Sequence, residues 1–310
     1  MDLKRMHYFC TIAEQGQISR AAKLLHMAQP PLSQRLKELE AELGTPLFER
    51  QGRKLLLTEA GTLFYRRARG ILRAVETSRE EVLRLASQSG PTLRLGLSPT
   101  CRSLWLSRFD ALQAAFPGHR IGLVVGDSSW LEQLLARGQL DAAFMVPPLE
   151  PEHFVVHPLA TSRHVALVPR NLLPRAAAVL SLAELARHPL LLLRRSVGVG
   201  SYERLLQHFH DEGLTPRVAL YSSDVDLLLD LLRQGFAGIA VVPETETREM
   251  EGEFLVLGLD VPLPDYRISL VCRQEDAAGP VPARLLEVWQ AGGLLAVQAA
   301  DPLPGVRVGG

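Results

Sequence analysis

Ser33, Gln34 and Lys37 share one side of a helix whose other side is the stripe Leu32, Leu36, Leu39 and Leu43. At about 100° per residue the two sets point apart. A hydroxyl, an amide and an ammonium, with no large apolar group among them, suit a helix lying in a DNA major groove, where base edges offer donors and acceptors. Pro30 and Pro31 fit the first turn of this helix, where a missing N–H costs nothing. Ser19 reads as the N-cap of a shorter helix, Arg20-Ala-Ala-Lys-Leu-Leu25, joined to it by a tight turn. The same pattern also describes an ordinary helical hairpin with a solvated face, so the flanking segments must decide.

Upstream, Leu3, Met6, Phe9, Ile12 and Ala13 recur at helical spacing and can pack beneath the pair. Downstream, Gly44-Thr-Pro-Leu-Phe-Glu-Arg50 makes a turn. Arg53-Lys-Leu-Leu-Leu-Thr-Glu-Ala-Gly61 then gives an extended basic segment running into a helix capped by Thr58. A basic hairpin directly after a helix-turn-helix is how a winged-helix domain holds phosphates beside the groove. The order and spacing of Ser19-Arg-Ala-Ala22, Gln29-Pro30, Leu32-Ser33, Leu36, Leu39-Glu40, Leu43-Gly44, Pro46-Leu-Phe-Glu-Arg50 and Leu57-Thr-Glu-Ala-Gly61 closely resemble the LysR-type transcriptional regulators. The match covers residues 1–61, and the length of 310 residues fits that family too. The expected DNA contacts are Ser19, Arg20, Gln29, Pro30, Pro31, Ser33, Gln34, Arg35 and Lys37 from the helices, with Arg50, Arg53 and Lys54 from the wing. Three departures bear on the preferred DNA sequence but not on the mode of binding. Ala28 stands where the family usually has Ser or Thr, so the second helix needs another cap. Pro31 is a second proline, and Gln34-Arg35 inverts a frequent Arg-Gln order.

The formal net charge of zero hides an asymmetry. Residues 1–90 carry 15 Lys and Arg against 10 Asp and Glu, and the remainder carries 19 against 24. A basic excess beside the proposed DNA reader is what phosphate contact requires. A chain this long exceeds a single core, so two or three domains are expected. Met1 opens a helix with no signal pattern, and no apolar run approaches the ~18 residues of a membrane span, so a cytoplasmic location without membrane contact is expected. Cys10, Cys101 and Cys272 are far apart and lack metal-ligand spacing, as buried cytosolic thiols do. No metal and no cofactor are expected. Peroxide-sensing members of the resembled family use a cysteine pair late in the effector domain, where Cys272 here stands alone.

Phe64, Ala68, Ile71, Val75, Ser78, Val82 and Leu85 alternate steps of four and three, a heptad seam with charges on the other faces. It predicts a dimerising helix over 59–90, closed by the hinge Ala86-Ser-Gln-Ser-Gly-Pro91, and the resemblance implies the same. A two-fold dimer presents two recognition helices to two half-sites, and pairing of dimers gives a tetramer.

From Thr92 the pattern changes to buried strands at 93–97, 120–125 and 140–146, with helices at 102–115 and 129–137 between them, which argues for an α/β sheet with helices on both faces. There is also an internal echo. Arg120, Leu123, Asp127, Leu131, Leu134, Leu135 and Gly138 recur as Arg217, Leu220, Asp224, Leu228, Leu231, Leu232 and Gly235, each 97 positions later. Duplicated topology predicts two similar lobes with a cleft at their junction. The resemblance implies the effector domain of the family, shaped like a periplasmic binding protein. The expected organisation is a winged helix-turn-helix at 1–58, a linker helix and hinge at 59–90, lobe I at 91–161 and 267–300, lobe II at 162–266, and a tail at 301–310. The lobes should cross near His157–Thr161 and Pro262–Tyr266.

Ligands in such clefts meet strand ends and helix N-termini, where free N–H groups favour carboxylates. The candidates for a small-molecule effector are Thr100, Cys101 and Arg102 in the first turn, Asp127 and Ser128 in the second, and Arg195, Gly200, Ser201 and Tyr202 in a glycine-bearing turn of lobe II. Thr100 stands where the family commonly places a ligand-contacting hydroxyl, and it can also cap a helix. Asp127 would weaken an anion or favour an amine or hydroxyl ligand. Val146-Pro-Pro148 supplies no charge where some relatives have arginine, so an anionic effector would need Arg102, Arg194 or Arg195. No catalytic constellation is present, since the histidines are scattered and neither HExxH nor GxSxG occurs. The rival class is an enzyme or small-molecule carrier with a fused DNA-binding domain. Its nearest support is Cys101, placed at the pocket mouth, with His119.

Overall fold

The computed structural model describes residues 1–52, 54–87, 90–148, 151–173, 178–250 and 252–290. The expectations for Arg53, for the side chain of Leu85 in the seam, for positions 88 and 89 of the hinge, for residues 291–300 of lobe I and for the tail at 301–310 lie outside the described residues. The chain forms two compact units, Met1–Pro91 and Thr92–Gly310.

The first unit comprises α1 (Leu3–Gln15), α2 (Ile18–Leu24), α3 (Gln29–Leu43), the hairpin β1 (Phe48–Gln51) with β2 (Lys54–Leu57), and α4 (Glu59–Ser87). Its core joins Met6, Phe9 and Ile12 to Ala21, Ala22, Leu32, Leu36, Leu39 and Leu47. Phe9 packs against Phe48 and Phe64, with ring centroids 5.3 and 5.0 Å away. Leu43 is 37% exposed, so the buried stripe of α3 stops at Leu39.

The cap expected at Ser19 lies elsewhere. Gln17 is the N-cap of α2 without a side-chain bond, its carbonyl accepts the Ala21 N–H at 3.1 Å, and Ser19 is exposed on the helix itself. Starting two residues earlier puts Ile18 on the core. α3 also starts without a side-chain cap, at Ala28. Pro30 and Pro31 lack N–H groups, so the cap has fewer orphan donors to satisfy. Between the helices His26 is left-handed at φ 52°. The Met27 N–H reaches back to Ala22 O at 3.0 Å, so the last turn of α2 closes on itself.

Glu40 fixes the wing, its carboxylate accepting the Leu47 and Phe48 N–H groups at 2.8 and 3.2 Å. Thr58 caps α4 as expected, accepting the Gly61 N–H at 2.9 Å. Phe64 and Ala68, counted in the heptad seam, instead pack within the first unit's own core. The described apolar positions of the seam that remain exposed are Ile71, Val75 and Val82.

The second unit runs β3 (Thr92–Leu97), α5 (Arg102–Leu106), α6 (Phe109–Ala115), β4 (Arg120–Val125), α7 (Ser128–Ala136), β5 (Ala142–Met145) and β6 (Phe154–Ser162). It continues with β7 (His164–Pro169), β8 (Val179–Leu180), α8 (Leu182–Leu185), β9 (Pro189–Leu193), α9 (Ser201–Asp211), β10 (Arg217–Ser222) and α10 (Val225–Arg233). β11 (Ile239–Pro243), β12 (Phe254–Leu259), β13 (Tyr266–Arg273) and α11 (Pro280–Gln290) complete it. The helix expected over 102–115 breaks at Ser107, whose hydroxyl turns back to Leu104 O at 2.7 Å.

Two sheets carry the lobes, ordered β4-β3-β5-β13-β6 and β10-β9-β11-β7-β12-β8. Aligned at β3 and β9 the orders correspond strand for strand, β8 being the addition. In each, the first three strands are parallel and the fourth is antiparallel to both neighbours. The sequence echo has structural content. Asp127 and Asp224 are the side-chain N-caps of α7 and α10, and Gly138 and Gly235 both have positive φ, 68° and 90°. At those turns a Cβ would be strained, so glycine is required.

The first crossing between lobes falls at Arg163 and not within His157–Thr161, which lies inside β6. Pro158 is tolerated there because β6 is the sheet edge and the register shifts at this point. The second crossing, between β12 and β13, spans the expected prolines at 262 and 264.

Candidate functional site

The exposed polar face of α3 is as the periodicity implies. Gln29, Pro30, Pro31, Gln34, Arg35 and Lys37 are exposed and Ser33 is half-buried, with Ser19, Arg20, Arg50 and Lys54 also exposed. Gln34 and Arg35 bond Glu38 at 3.3 and 3.2 Å along the surface.

In the second unit a cleft of about 300 Å³ separates the lobes. Its walls are the C-terminal ends of the parallel strands and the helix starts that follow them, where ligands meet open α/β sheets. Of the expected effector residues, Thr100, Asp127, Ser128, Arg195, Gly200 and Ser201 line it. The other three do not. Cys101 is fully buried in the lobe I core, and burial raises its thiol well above the ordinary range. It is neither a pocket-mouth group nor a nucleophile, because only a thiolate attacks. Arg102 pairs across the lobes with Asp226. Tyr202 packs on Tyr221 at 5.4 Å, with Arg194 5.0 Å above its ring.

Thr100 does not cap a helix. It sits within a 3₁₀ turn, and its hydroxyl meets Ser98 Oγ at 3.0 Å. Ser128 joins the pair by donating to Ser98 Oγ at 3.4 Å, so three buried hydroxyls form one wall. Asp127 is a joint as well as a cap. One carboxylate oxygen accepts the Ser129 N–H at 2.9 Å and the other the Ser196 N–H of lobe II at 3.3 Å. A third tie between lobes is buried Glu246, which accepts from the Ser103 hydroxyl at 2.8 Å. Burial raises its carboxyl above the usual range, and the Ser103 bonds oppose that.

Sequence reading missed the floor. His164 begins β7 and Tyr266 begins β13, so the two crossings lie side by side, with ring centroids 4.2 Å apart. Tyr266 meets Ser201 Oγ at 3.3 Å, and burial pushes its phenol up to about 12. His164 is 7% exposed, and neither ring nitrogen has a hydrogen-bond partner.

Burial depresses His164 to about 4 from 6.5. Between those values the unfolded chain binds a proton that the folded chain refuses, so stability falls as pH drops through that window. The effector unit should lose up to about 3 kcal/mol by pH 4, since one pKa unit is worth about 1.4 kcal/mol. Denaturant melts at pH 7 and pH 4.5 should show this loss, and His164→Gln should remove most of it. An equal loss in the variant would place the acid sensitivity elsewhere.

A ligand-binding α/β unit joined to a winged helix-turn-helix defines a class of ligand-responsive DNA-binding proteins, and comparison with known proteins specifies the family. Residues 3–62 match the bacterial regulatory helix-turn-helix protein, lysR family. Residues 86–292 match the LysR substrate binding domain. The HTH-type transcriptional regulator BsdA of Bacillus subtilis (strain 168) is 33% identical over 246 residues, 79% of this chain and 84% of that protein. The structure of HinK, a LysR family regulator from Pseudomonas aeruginosa, superposes with a TM-score of 0.54 at 26% identity, over 95% of this chain and 99% of that one. Full-length CbnR complexed with its target DNA shares the fold at a TM-score of 0.54 and 24% identity, over 94% of this chain and 100% of that one.

The chain belongs to the LysR family: it is a transcriptional regulator with a helix-turn-helix DNA-binding domain and an effector-binding domain, and not an enzyme. Among the described residues no helix is long and apolar enough to cross a membrane.

Proposed function

We propose that two copies of the chain, paired along α4, read a two-fold operator through α3 while the wing holds phosphates, and that two such dimers form a tetramer. The regulator works in the cytoplasm, where its DNA is. A small molecule in the cleft changes the relative placement of the lobes and, through the oligomer, the DNA contacts. A ligand moves such an equilibrium only by its differential affinity for the two states, and Arg102–Asp226, Asp127–Ser196 and Ser103–Glu246 are the contacts that would differ between them.

The observation that carries this reading is the division of α3 into a stripe of buried leucines, Leu32, Leu36 and Leu39, and a polar face that is exposed but for half-buried Ser33. Ser33→Ala with Gln34→Ala should cost tenfold or more in affinity for a specific site, on the order of 1–3 kcal/mol per lost base contact, and leave binding to random DNA nearly unchanged. Arg50→Ala or Lys54→Ala should weaken binding to every sequence and reduce the salt slope by about one unit each. Fluorescence anisotropy across a salt series measures both. Equal losses on specific and random DNA for the Ser33 and Gln34 pair would mean that another surface reads the bases.

A further inference from the structure

We infer that the effector is a small organic monoanion, a carboxylate on an apolar body, seated with its charge on Arg195 and a hydrogen-bonding oxygen on His164. This rests on the cleft being the effector site. Four arginines (194, 195, 204 and 267) face the cleft against two carboxylates, Asp127 and Asp265. Arg194 is already committed, bonded to Glu203 at 2.9 Å and stacked 5.0 Å over each of the Tyr202 and Tyr221 rings. Arg195 is not. Its Nε and one terminal nitrogen are buried without a hydrogen-bond partner.

Burying an unpaired cation is costly, and such groups persist where something pairs with them. Asp127 and Glu132 help to hold the Arg195 charge, but burial outweighs them and pulls its pKa down. Asp127 spends its oxygens on the Ser129 and Ser196 N–H groups, in its own lobe and across the cleft. It therefore acts as a cap and a joint, where from the sequence alone its charge was expected to weaken an anion or favour an amine or hydroxyl ligand.

The Arg195 stem lies along Gly200, where a Cβ would stand 3.5 Å from its Cγ and Cδ. Gly200 is the N-cap of α9 and its own N–H is taken by Glu203 Oε2 at 2.9 Å, so the guanidinium of Arg195 is what serves the anion. His164, buried and lacking partners on both ring nitrogens, adds a second unfilled hydrogen-bonding position in the floor of the same cleft. With the ring neutral near pH 7 it offers one N–H and one lone pair, which suits an oxygen and not a second full charge. Val146, Pro147, Pro148, Leu193, Val199 and Pro264 supply the apolar surface for the body of the ligand.

The test uses the full-length chain and a panel of short-chain and aromatic carboxylates, each with its primary amide and its amine. Carboxylates should raise the melting temperature of the effector unit by mass action, while their amides and amines do not. Arg195→Gln should abolish the shift and lower affinity tenfold or more by calorimetry. It should also raise the melting temperature without ligand, because the unpaired charge is gone. Arg195→Lys should keep part of the binding.

Stabilisation by amides or amines in place of carboxylates, or by nothing in the panel, overturns the inference. If Thr100→Val or His164→Gln abolishes such amide or amine binding, the cleft stands as the effector site and only the anion assignment falls. Carboxylate binding left intact by Arg195→Gln, Thr100→Val and His164→Gln alike would remove the cleft from its role altogether.

Discussion

Gly61→Ala should strongly destabilise the helix-turn-helix unit and lower its melting temperature, while Gly70→Ala, later in the same helix, should make it more stable. A Cβ on Gly61 would stand 2.0 Å from Leu47 O and 2.9 Å from its carbonyl carbon. That backbone cannot yield easily, because Leu47 O accepts the Thr58 N–H at 3.0 Å and the Leu47 N–H is held by Glu40. Forcing one methyl into such a contact costs about 3 kcal/mol or more, a large part of the 5–15 kcal/mol that holds a domain together. For a unit of this size that is on the order of 15 °C in melting temperature. Gly70 meets nothing within 4 Å, so alanine there should gain about 0.5–1 kcal/mol of helix propensity. Scanning calorimetry of the two variants should show shifts of opposite sign in the transition of the first unit, with the effector unit unmoved. A tolerated Gly61→Ala would mean that α4 does not approach Leu47 so closely.

Val75→Asp combined with Val82→Asp should dissociate the oligomer without unfolding the chain. Both side chains are exposed within one copy, at 44% and 65%, so the charges cost the monomer little. In a paired seam they would be buried without partners, a penalty of several kcal/mol per interface. Sedimentation should show smaller particles, and operator affinity should fall at least a hundredfold because two half-sites are no longer held together. A double variant that sediments like the parent would move the dimer contact off α4.

The sequence was most legible where one physical pattern had one structural outcome. The leucine stripe of α3, the Thr58 cap and the 97-residue echo each map onto a definite element. It was least legible where tertiary contact decided between equal local choices. Phe64 and Ala68 fit a heptad, but the packing of α1 against α4 claims them for the core. Ser19 is a good cap by type, yet burying Ile18 moves the helix start past it. Cys101 and Tyr202 adjoin cleft residues in the chain, but in a turn neighbouring side chains point different ways, and these two point into packed surroundings. His164 carried no local signal, because only the pairing of β6 with β13 and of β7 with β12 brings the two crossings together.

The most direct test of the account is selection of binding sites from a random duplex pool by the full-length chain, beside the variant carrying Ser33→Ala and Gln34→Ala. Paired recognition helices predict enrichment of an inverted repeat whose half-sites lie about one helical turn, or a whole number of turns, apart. The variant should lose that motif while still binding the pool. Enrichment of an asymmetric site, or of the same repeat by both proteins, would contradict the claim that two copies of α3 read the DNA.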